Sequence, residues 1–125
     1  LTPDNTPQPI RLENDNAPGH HAYNPQIAFD ANGNAIVVWQ QDETDANGLT
    51  GIVRSIFANR YDAATGQWAL TPDNTPQPIR LENDNAPEHG AYLPQIAFYS
   101  KGNAMAVWSQ LVTDGVSSVF ARRFE

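Results

Sequence analysis

Two connecting segments carry most of the side chains that could do chemistry. They read LENDNAPGHHAYNP at 12–25 and LENDNAPEHGAYLP at 81–94, so each combines carboxylates, imidazole and a phenol. Such groups can hydrogen-bond a ligand, bind a metal ion or transfer a proton. We therefore take His20 and Tyr23, and His89 and Tyr92 in the second segment, as candidate ligand-binding residues.

The composition excludes several classes of partner. The 125 residues include 14 acidic and 7 basic side chains, which gives a formal net charge of −7. An acidic surface repels phosphate backbones and anionic lipids, so neither nucleic acid nor a membrane surface is expected as a partner. Without cysteine, the chain can form neither a disulfide framework nor a thiolate metal site. The longest purely apolar runs, 35–39 and 104–108, are too short to span a bilayer.

Metal binding is a weaker expectation. The segment DETDANG at 42–48 begins with acidic residues, and Ca²⁺ prefers such oxygen ligands. Its fifth position is Ala46 and its twelfth is not glutamate, so it does not match the EF-hand loop. Adjacent His20 and His21 would point to opposite sides of a strand, and the second copy has only His89. A zinc site is therefore not expected, and we expect no cofactor, with Ca²⁺ as the weaker alternative.

The chain contains an internal repeat. Residues 1–18 recur without change as 70–87, and most of the positions that follow are identical at the same offset. The copies then differ in loop length and realign at the end, where SIFANRYD (55–62) matches SVFARRFE (118–125). The sequence thus divides into two repeat units, 1–69 and 70–125.

Each unit has the pattern of short strands separated by turns. The run PQIAF is rich in strand formers and begins with a proline, which is expected at a strand start or edge. A glycine turn and a continuously apolar strand follow, and the apolar strand is typical of burial on both faces. No window shows helical periodicity, so we predict an all-β chain with glycines 33, 66 and 102 at positive φ. The eight predicted strands are 7–13, 25–30, 34–41, 52–62, 76–82, 94–99, 103–110 and 116–124.

Four short antiparallel strands per unit are typical of a β-propeller blade. The pattern PQIAFD-x-x-GNA-x-x-VW-x-Q, then I-x-A-x-RYD-x-x-TG-x-W, resembles the sialidase-like β-propeller repeats of bacterial secreted and surface proteins, which are related to Asp-box repeats. The resemblance implies blades that stack face to face and an extracellular, cell-surface or periplasmic location. The Asp-box motif itself, S-x-D-x-G-x-T-W, does not occur in this sequence. Two small fibronectin-like sandwich domains are the alternative fold.

One end of the predicted sheets should carry the variable polar chemistry. In an antiparallel meander, the connection before the first strand and the loop after the second strand emerge at the same end. We call this the long-loop end, and the opposite end with its tight glycine turns the turn end. Loops held by a rigid scaffold are where binding usually occurs. The predicted ligand-binding residues are His20, Tyr23, Gln41, His89, Tyr92 and Gln110.

A non-catalytic, lectin-like module that binds carbohydrate or protein is the leading functional prediction. The resemblance implies a sialidase-like glycosidase as the alternative, with an arginine cluster, a tyrosine nucleophile paired with glutamate, and an acidic aspartate. Here Arg11 and Arg80 are repeat equivalents, as are Arg60 and Arg123, whereas catalysis needs distinct residues in distinct roles. Near-identical copies instead predict equivalent pockets, so no catalytic residue is assigned. A structural spacer without a ligand is the third hypothesis.

The three tryptophans are expected in the interior. Trp39 and Trp108 occupy the same position in the two copies, late in the apolar strand. An indole ring can stack on a sugar, but core packing is the favoured interpretation at both positions. Trp68 follows a turn and is also expected to pack.

The order of the predicted strands leaves two of them without a neighbour. Strand 7–13 has no third strand before it, strand 116–124 has no fourth strand after it, and propellers need about four to eight blades. We therefore expect either part of a longer propeller chain or a homo-oligomeric ring, in which 7–13 pairs with 116–124 of the next subunit and three subunits are preferred. Because the chain opens on Leu1 without a leader, either an initiator methionine or signal peptide has been removed, or it is an excised segment.

Overall fold

A computed structural model describes residues 10–13, 19–44, 52–69, 78–82, 89–112 and 115–125. These residues form two antiparallel sheets and no α-helix, so the all-β prediction is confirmed. The first sheet contains β1 (Ala22–Phe29), β2 (Ala35–Thr44) and β3 (Ile52–Asp62), with two short strands, β4 (Gln67–Trp68) and β5 (Ile79–Arg80), on the far edge of β3. The second sheet contains β6 (Ala91–Ser100), β7 (Asn103–Leu111) and β8 (Ser117–Phe124) in that order.

The edge of the first sheet next to β3 shows where the repeats meet. β5 belongs to the second repeat but pairs with β3 of the first, with Ile79 opposite Ala58 and Arg80 opposite Phe57. It forms part of the strand predicted at 76–82, of which 76 and 77 lie outside the described residues. Residues 10–13, the counterpart of 79–82, form no strand. Residues 10–13 are thus not a strand within the single chain, because no third strand lies beside them, and 7–9 of the predicted strand 7–13 lie outside the described residues.

Each sheet has two faces that we name by their residues. The tryptophan face carries Trp39 and Phe57 in the first sheet and Trp108 and Phe120 in the second, since directly opposed residues share a face. The aliphatic face carries the alternate positions. These are Ile36, Val38, Ile56 and Ala58 in the first sheet, and Met105, Val107, Val119 and Ala121 in the second.

The core lies between the two sheets, where the tryptophan face of the second packs on the aliphatic face of the first. Strand β6 contacts β1, β2 and β3, and Ile96 and Phe98 pack against the core from the second sheet. Each repeat thus supplies essentially one sheet of a shared core, so the alternative of two separate sandwich domains is wrong for the described part of the chain. The buried cluster consists of Ile36, Val38, Ile56, Ala58, Leu81, Ala91, Ala104, Ala106, Trp108 and Phe124.

The two apolar strands differ in burial. Residues 35–42 of β2 are buried on both faces, as predicted. The second sheet covers their aliphatic face, and on the tryptophan face Trp39 stacks on Phe57, while Ile27 and Phe29 of β1 leave part of that face exposed. In β7 burial alternates, and Met105 is exposed. The prediction of burial on both faces is wrong for β7, because no sheet among the described residues covers its aliphatic face.

The turn end is built on glycines in the left-handed region. Gly33 has φ of 85° and Gly102 has φ of 80°, and Gly66 is also at positive φ, so all three predictions are confirmed. In the first turn, the Asp30 carboxylate accepts hydrogen bonds from the backbone N–H groups of Asn32 and Asn34 at 2.8 and 2.9 Å. The second turn has Tyr99 in place of Asp30 and closes more tightly around Lys101 and Gly102.

Both prolines predicted at strand starts lie inside strands, at bulges. The residues before them, Asn24 and Leu93, have φ of 55°, and the strand register shifts there in both copies. A bulge tolerates proline because the extra residue makes no ladder hydrogen bond. The predicted strand starts at Pro25 and Pro94 are therefore too late, since pairing begins at Ala22 and Ala91 and resumes after each proline.

The tryptophans are interior, as predicted for Trp39 and Trp108. Both are buried, and each stacks on the phenylalanine opposite it, Phe57 or Phe120, with ring centroids 6.4 Å apart. Trp68 packs with its ring tilted against Tyr61 at 5.3 Å. Core packing therefore accounts for both repeated indole rings.

Candidate functional site

Two tyrosines from different repeats meet one arginine at the long-loop end. Tyr23 lies near the start of β1, Tyr92 lies at the corresponding position of β6, and Arg54 lies near the start of β3. Because β6 packs across the first sheet, the tyrosine of the second repeat comes close to the first. We call Tyr23, Asp42, Arg54 and Tyr92 the Tyr–Arg cluster.

Hydrogen bonds connect three members of the Tyr–Arg cluster. The Arg54 Nε group donates to the Tyr23 hydroxyl at 2.8 Å, and that hydroxyl donates to the Asp42 carboxylate at 2.9 Å. Arg54 Nε is also 3.7 Å from the same Asp42 oxygen, so the guanidinium and the carboxylate form an ion pair. Asp42 and Arg54 are directly opposite each other on β2 and β3, so the sheet itself fixes their separation.

The fourth member completes the cluster through a ring contact. The Arg54 guanidinium carbon lies 5.7 Å from the centre of the Tyr92 ring, a cation–π distance. The Tyr92 ring lies over Gly90, where a Cβ atom would come within 2.8 Å of the tyrosine oxygen. The glycine therefore permits this placement of Tyr92, and the corresponding residue in the first repeat is His21.

The bulges before the prolines hold the two repeats in this arrangement. The Gln40 side-chain oxygen accepts hydrogen bonds from the Leu93 backbone N–H at 2.9 Å and from the Asn24 side chain at 3.2 Å. Leu93 has a positive φ, which a branched side chain adopts at a cost in conformational strain. Gln40 thus ties the start of β6 to β2 and keeps Tyr92 beside Arg54.

The surroundings of Arg54 favour its charged form. The hydrogen bond with Tyr23, supported by the nearby Asp42 carboxylate, raises the pKa of Arg54 above its usual value, although partial burial acts in the opposite direction. The Asp42 side chain is 10% exposed, whereas that of Arg54 is 45% exposed. The guanidinium therefore presents donors to solvent while the carboxylate beneath it is shielded.

This arrangement can recognise an oxygen-rich ligand. Arginine presents planar, permanently charged donors that suit carboxylate and hydroxyl acceptors. Tyrosine rings add flat apolar surfaces at a small cost in conformational entropy. The cluster thus has the groups that bind polyhydroxylated or acidic ligands.

The six predicted site residues fall into three environments. Tyr23 and Tyr92 belong to the cluster. His20 and His89 are partly exposed in the connections that lead into β1 and β6. Gln41 and Gln110 are buried, and their side-chain oxygens accept hydrogen bonds from the indole N–H groups of Trp39 and Trp108. Ligand contact stays a prediction for all six.

Sequence reasoning missed the two charged residues of the cluster. Asp42 enters the sequence analysis only as the start of a segment compared with a calcium-binding loop, and Arg54 is not singled out there. A signal was present in their mismatch with the second repeat, where Leu111 and Ser117 occupy the equivalent positions. A charge pair that appears in one copy of a near-identical repeat is a reason to look for a local role.

The turn end contains a concave region that is separate from the Tyr–Arg cluster. A cleft of about 650 Å³ between the sheets is lined by Asp30, Arg60, Asp62, Trp68, Phe98 and Lys101, among other residues. The Asp30 carboxylate there accepts hydrogen bonds from the Asn34 side chain and from backbone N–H groups, which lowers the pKa of Asp30 below its usual value of 3.8. The Asp30 oxygens are thus engaged in hydrogen bonds within the turn.

Metal and membrane features are limited in the described ranges. No group of three or more histidine, aspartate or glutamate side chains is placed to hold a metal ion there. Most of the calcium-loop resemblance at 42–48 lies outside the described residues. No helix in the described part of the chain is long and apolar enough to cross a membrane.

Comparison with known proteins gives no relative. No family model, no curated protein and no solved structure matches the chain. The fold and the Tyr–Arg cluster therefore carry the functional argument by themselves.

Proposed function

We propose that this chain is a pair of β-propeller blades that acts as a non-catalytic binding module for carbohydrate or protein ligands. The observation that carries the proposal is the Arg54 guanidinium, half-exposed between Tyr23 and Tyr92 at the long-loop end. The propeller is completed either by further blades of a longer chain or by other copies. The sialidase-like repeat pattern supports the blade architecture and a secreted or surface location.

The proposed ligand lies at the long-loop end, in contact with Arg54 and the tyrosines. Its hydroxyl or carboxylate oxygens accept hydrogen bonds from the guanidinium, and its apolar face packs on a phenol ring. In this proposal His20 and His89, in the connections that lead into β1 and β6, extend the contact surface. The buried Gln41 and Gln110 accept hydrogen bonds from the neighbouring tryptophans. In this proposal they contribute to ligand binding by fixing the position of the strand ends.

A glycan array with the intact protein tests this function. Wild type is compared with Arg54→Gln, which removes the charge, and with Arg54→Lys, which keeps the charge but loses the planar donors. Hydrogen bonds to charged groups contribute about 1.5–3 kcal/mol, so Arg54→Gln is expected to weaken binding at least about tenfold. Lys101→Gln, the same charge change at the turn end, is the matched control and should bind like wild type. Equal binding by Arg54→Gln would overturn the proposed site.

A glycosidase is the second candidate, and the Tyr23–Asp42 hydrogen bond is the observation that bears on it. A phenol next to a carboxylate is the pairing that the sialidase resemblance implies for a nucleophile. Here the Arg54 guanidinium is bound to both groups, and the cluster contains no second carboxyl group to act as the acid. Release of fluorophore from a sialoside substrate, lost in Tyr23→Phe, would favour catalysis over binding. A protein that neither binds nor hydrolyses glycans and captures no protein would be a spacer.

A further inference from the structure

The interface between the two sheets has three parts: a covered sheet face, a paired strand and a buried leucine. Each part has an equivalent elsewhere in the repeated sequence. The tryptophan face of the second sheet covers the aliphatic face of the first, and β5, which precedes the second sheet in the chain, pairs with β3. Leu81, beside β5, is buried in the same core. A following sheet therefore docks through one face and one strand at the same time.

The second sheet presents the same aliphatic face to solvent. Ile56 is 0% exposed, whereas its repeat equivalent Val119 is 77% exposed. Ile36 is 1% exposed, whereas its equivalent Met105 is 41% exposed. An apolar sheet face of this kind, open to water, is typical of an interaction surface.

The first sheet presents the complementary surface. In the second sheet, Ile96 and Phe98 pack against the core. Their equivalents in the first sheet, Ile27 and Phe29, are exposed on the tryptophan face. The molecule thus has an open docking face at one side and an open aliphatic face at the other.

Residues 10–13 are placed on the first sheet as 79–82 are placed on the second. The Leu12 carbonyl accepts a hydrogen bond from the Asn59 side chain at 3.2 Å. The Leu81 carbonyl accepts one from Arg122 at 3.1 Å, and both the donors and the acceptors are repeat equivalents. Segment 10–13 therefore lies where a fourth strand of a preceding sheet would lie.

A charged contact at the interface is also preserved in the repeat. The Arg60 guanidinium lies over the Phe124 ring, with 5.6 Å to its centre. The equivalent residues are Arg123 and Tyr61, again an arginine and an aromatic ring, one on each open surface. Two copies stacked like the two sheets would form this contact between chains.

From these equivalences we infer that the two open surfaces bind each other in separate copies of this chain, head to tail. Segment 10–13 of one copy pairs with β8 of its neighbour, with Ile10 opposite Ala121 and Arg11 opposite Phe120, as Ile79 and Arg80 pair with β3. The inference rests on the blade architecture of the proposed function. Such a contact is heterologous, so it closes into a ring when the rotation permits.

The inferred contact would not reproduce the Tyr–Arg cluster. Between chains, the neighbour's Tyr23 would face Ser117 and Leu111, the equivalents of Arg54 and Asp42. The assembly therefore has one Tyr–Arg cluster per chain and not one per sheet. A ligand that needs Arg54 should bind with a stoichiometry of one per chain.

The mass of the 125-residue chain in solution tests the inference. By light scattering at micromolar concentration, we expect a discrete oligomer of two to four copies of the 13.7 kDa chain, which corresponds to four to eight blades. Val119→Asp and Phe29→Asp each place a charge on one of the two open surfaces, and each variant alone should be monomeric. Val116→Asp, three residues away and close to the opposite face of β8, is the matched control and should keep the wild-type mass.

Mixing the two variants distinguishes head-to-tail contact from other modes. Each variant keeps one intact surface, so a mixture of Val119→Asp and Phe29→Asp should form a dimer of one chain of each and grow no further. Because both positions are exposed, unchanged circular dichroism is expected for each variant alone. A monomeric wild type, or an oligomer that persists in both variants, would overturn the inference.

The outcomes for assembly and for ligand binding are separate. A monomer that binds glycans through Arg54 would contradict the assembly and support the proposed function. A ring that binds no ligand would support the assembly and contradict the proposed function.

Discussion

The two sheets have nearly the same sequence and different environments. The first is covered on its aliphatic face, so Ile56 is fully buried, whereas the second leaves Val119 at the same position in solvent. Their strands, turns and tryptophan contacts nevertheless agree closely. The strands and turns of each sheet thus follow from its own sequence, while the burial of its faces depends on which neighbour is present.

The same comparison separates local structure from the candidate site. Both repeats place a tyrosine at the long-loop end, and both have the same backbone hydrogen bond there, from Asp42 to His21 and from Leu111 to Gly90. Only the first repeat has the Asp42–Arg54 pair, so the two tyrosines share one guanidinium. The sequence prediction of two equivalent pockets is therefore not what the described residues form.

The largest expected effect is a difference in unfolding free energy between equivalent positions of the two sheets. Ile56→Ala removes a fully buried side chain and should lower the free energy of unfolding by about 2–5 kcal/mol. Val119→Ala, at the equivalent exposed position, should change it by less than about 0.5 kcal/mol in a dilute, monomeric sample. Urea unfolding of both variants checks this, and similar losses in the monomer would contradict the assignment of the covered face.

The buried glutamines should behave alike in the two sheets. Gln41→Leu and Gln110→Leu each leave a buried indole N–H without its acceptor, which costs about 1–3 kcal/mol. Thermal unfolding of both variants measures the cost. A loss in one sheet only would show that these bonds are not equivalent, and unchanged stability in both would mean that water replaces the glutamine oxygens.

The turn glycines should also give similar losses. Gly33→Val forces a branched residue to positive φ, at a cost of about 1–2 kcal/mol, and Gly102→Val should do the same. Space is not limiting, since a Cβ at Gly33 would lie 3.5 Å from the Ala63 Cβ atom. Ala31→Val, in the same turn without positive φ, serves as the control. A melting midpoint unchanged by Gly33→Val would refute the turn conformation.

The smallest expected effect is a pH dependence found in one turn only. Hydrogen bonds lower the pKa of Asp30, so its stabilising contribution is present above the usual value of 3.8 and is lost as the pH falls through the lower folded value. The stability difference between wild type and Asp30→Ala should therefore narrow below pH 3.8. Tyr99→Ala, at the matching position, should show no such narrowing, and a difference constant with pH would contradict the turn's hydrogen bonding.

Much of the fold could be predicted because its signals are local. Asn32-Gly33 and Lys101-Gly102 identify hairpins, and the apolar run before Trp39 identifies a buried strand. The bulges at Asn24 and Leu93 could not be predicted, because proline alone does not distinguish a strand start from an irregularity within it. β4 at Gln67–Trp68 was missed since two residues carry too little pattern.

The sequence alone determined the repeat, the all-β fold, the turn conformations and the positions of the tyrosines, since each depends on residues close together in the chain. Tertiary structure decided which faces are covered and which residues meet across the sheets. Arg54 and Tyr92 come together because β6 crosses the first sheet, and Gln40 fixes that crossing through Leu93. No spacing in the sequence encodes such a contact, because packing between separate sheets depends on the shape and burial of whole surfaces.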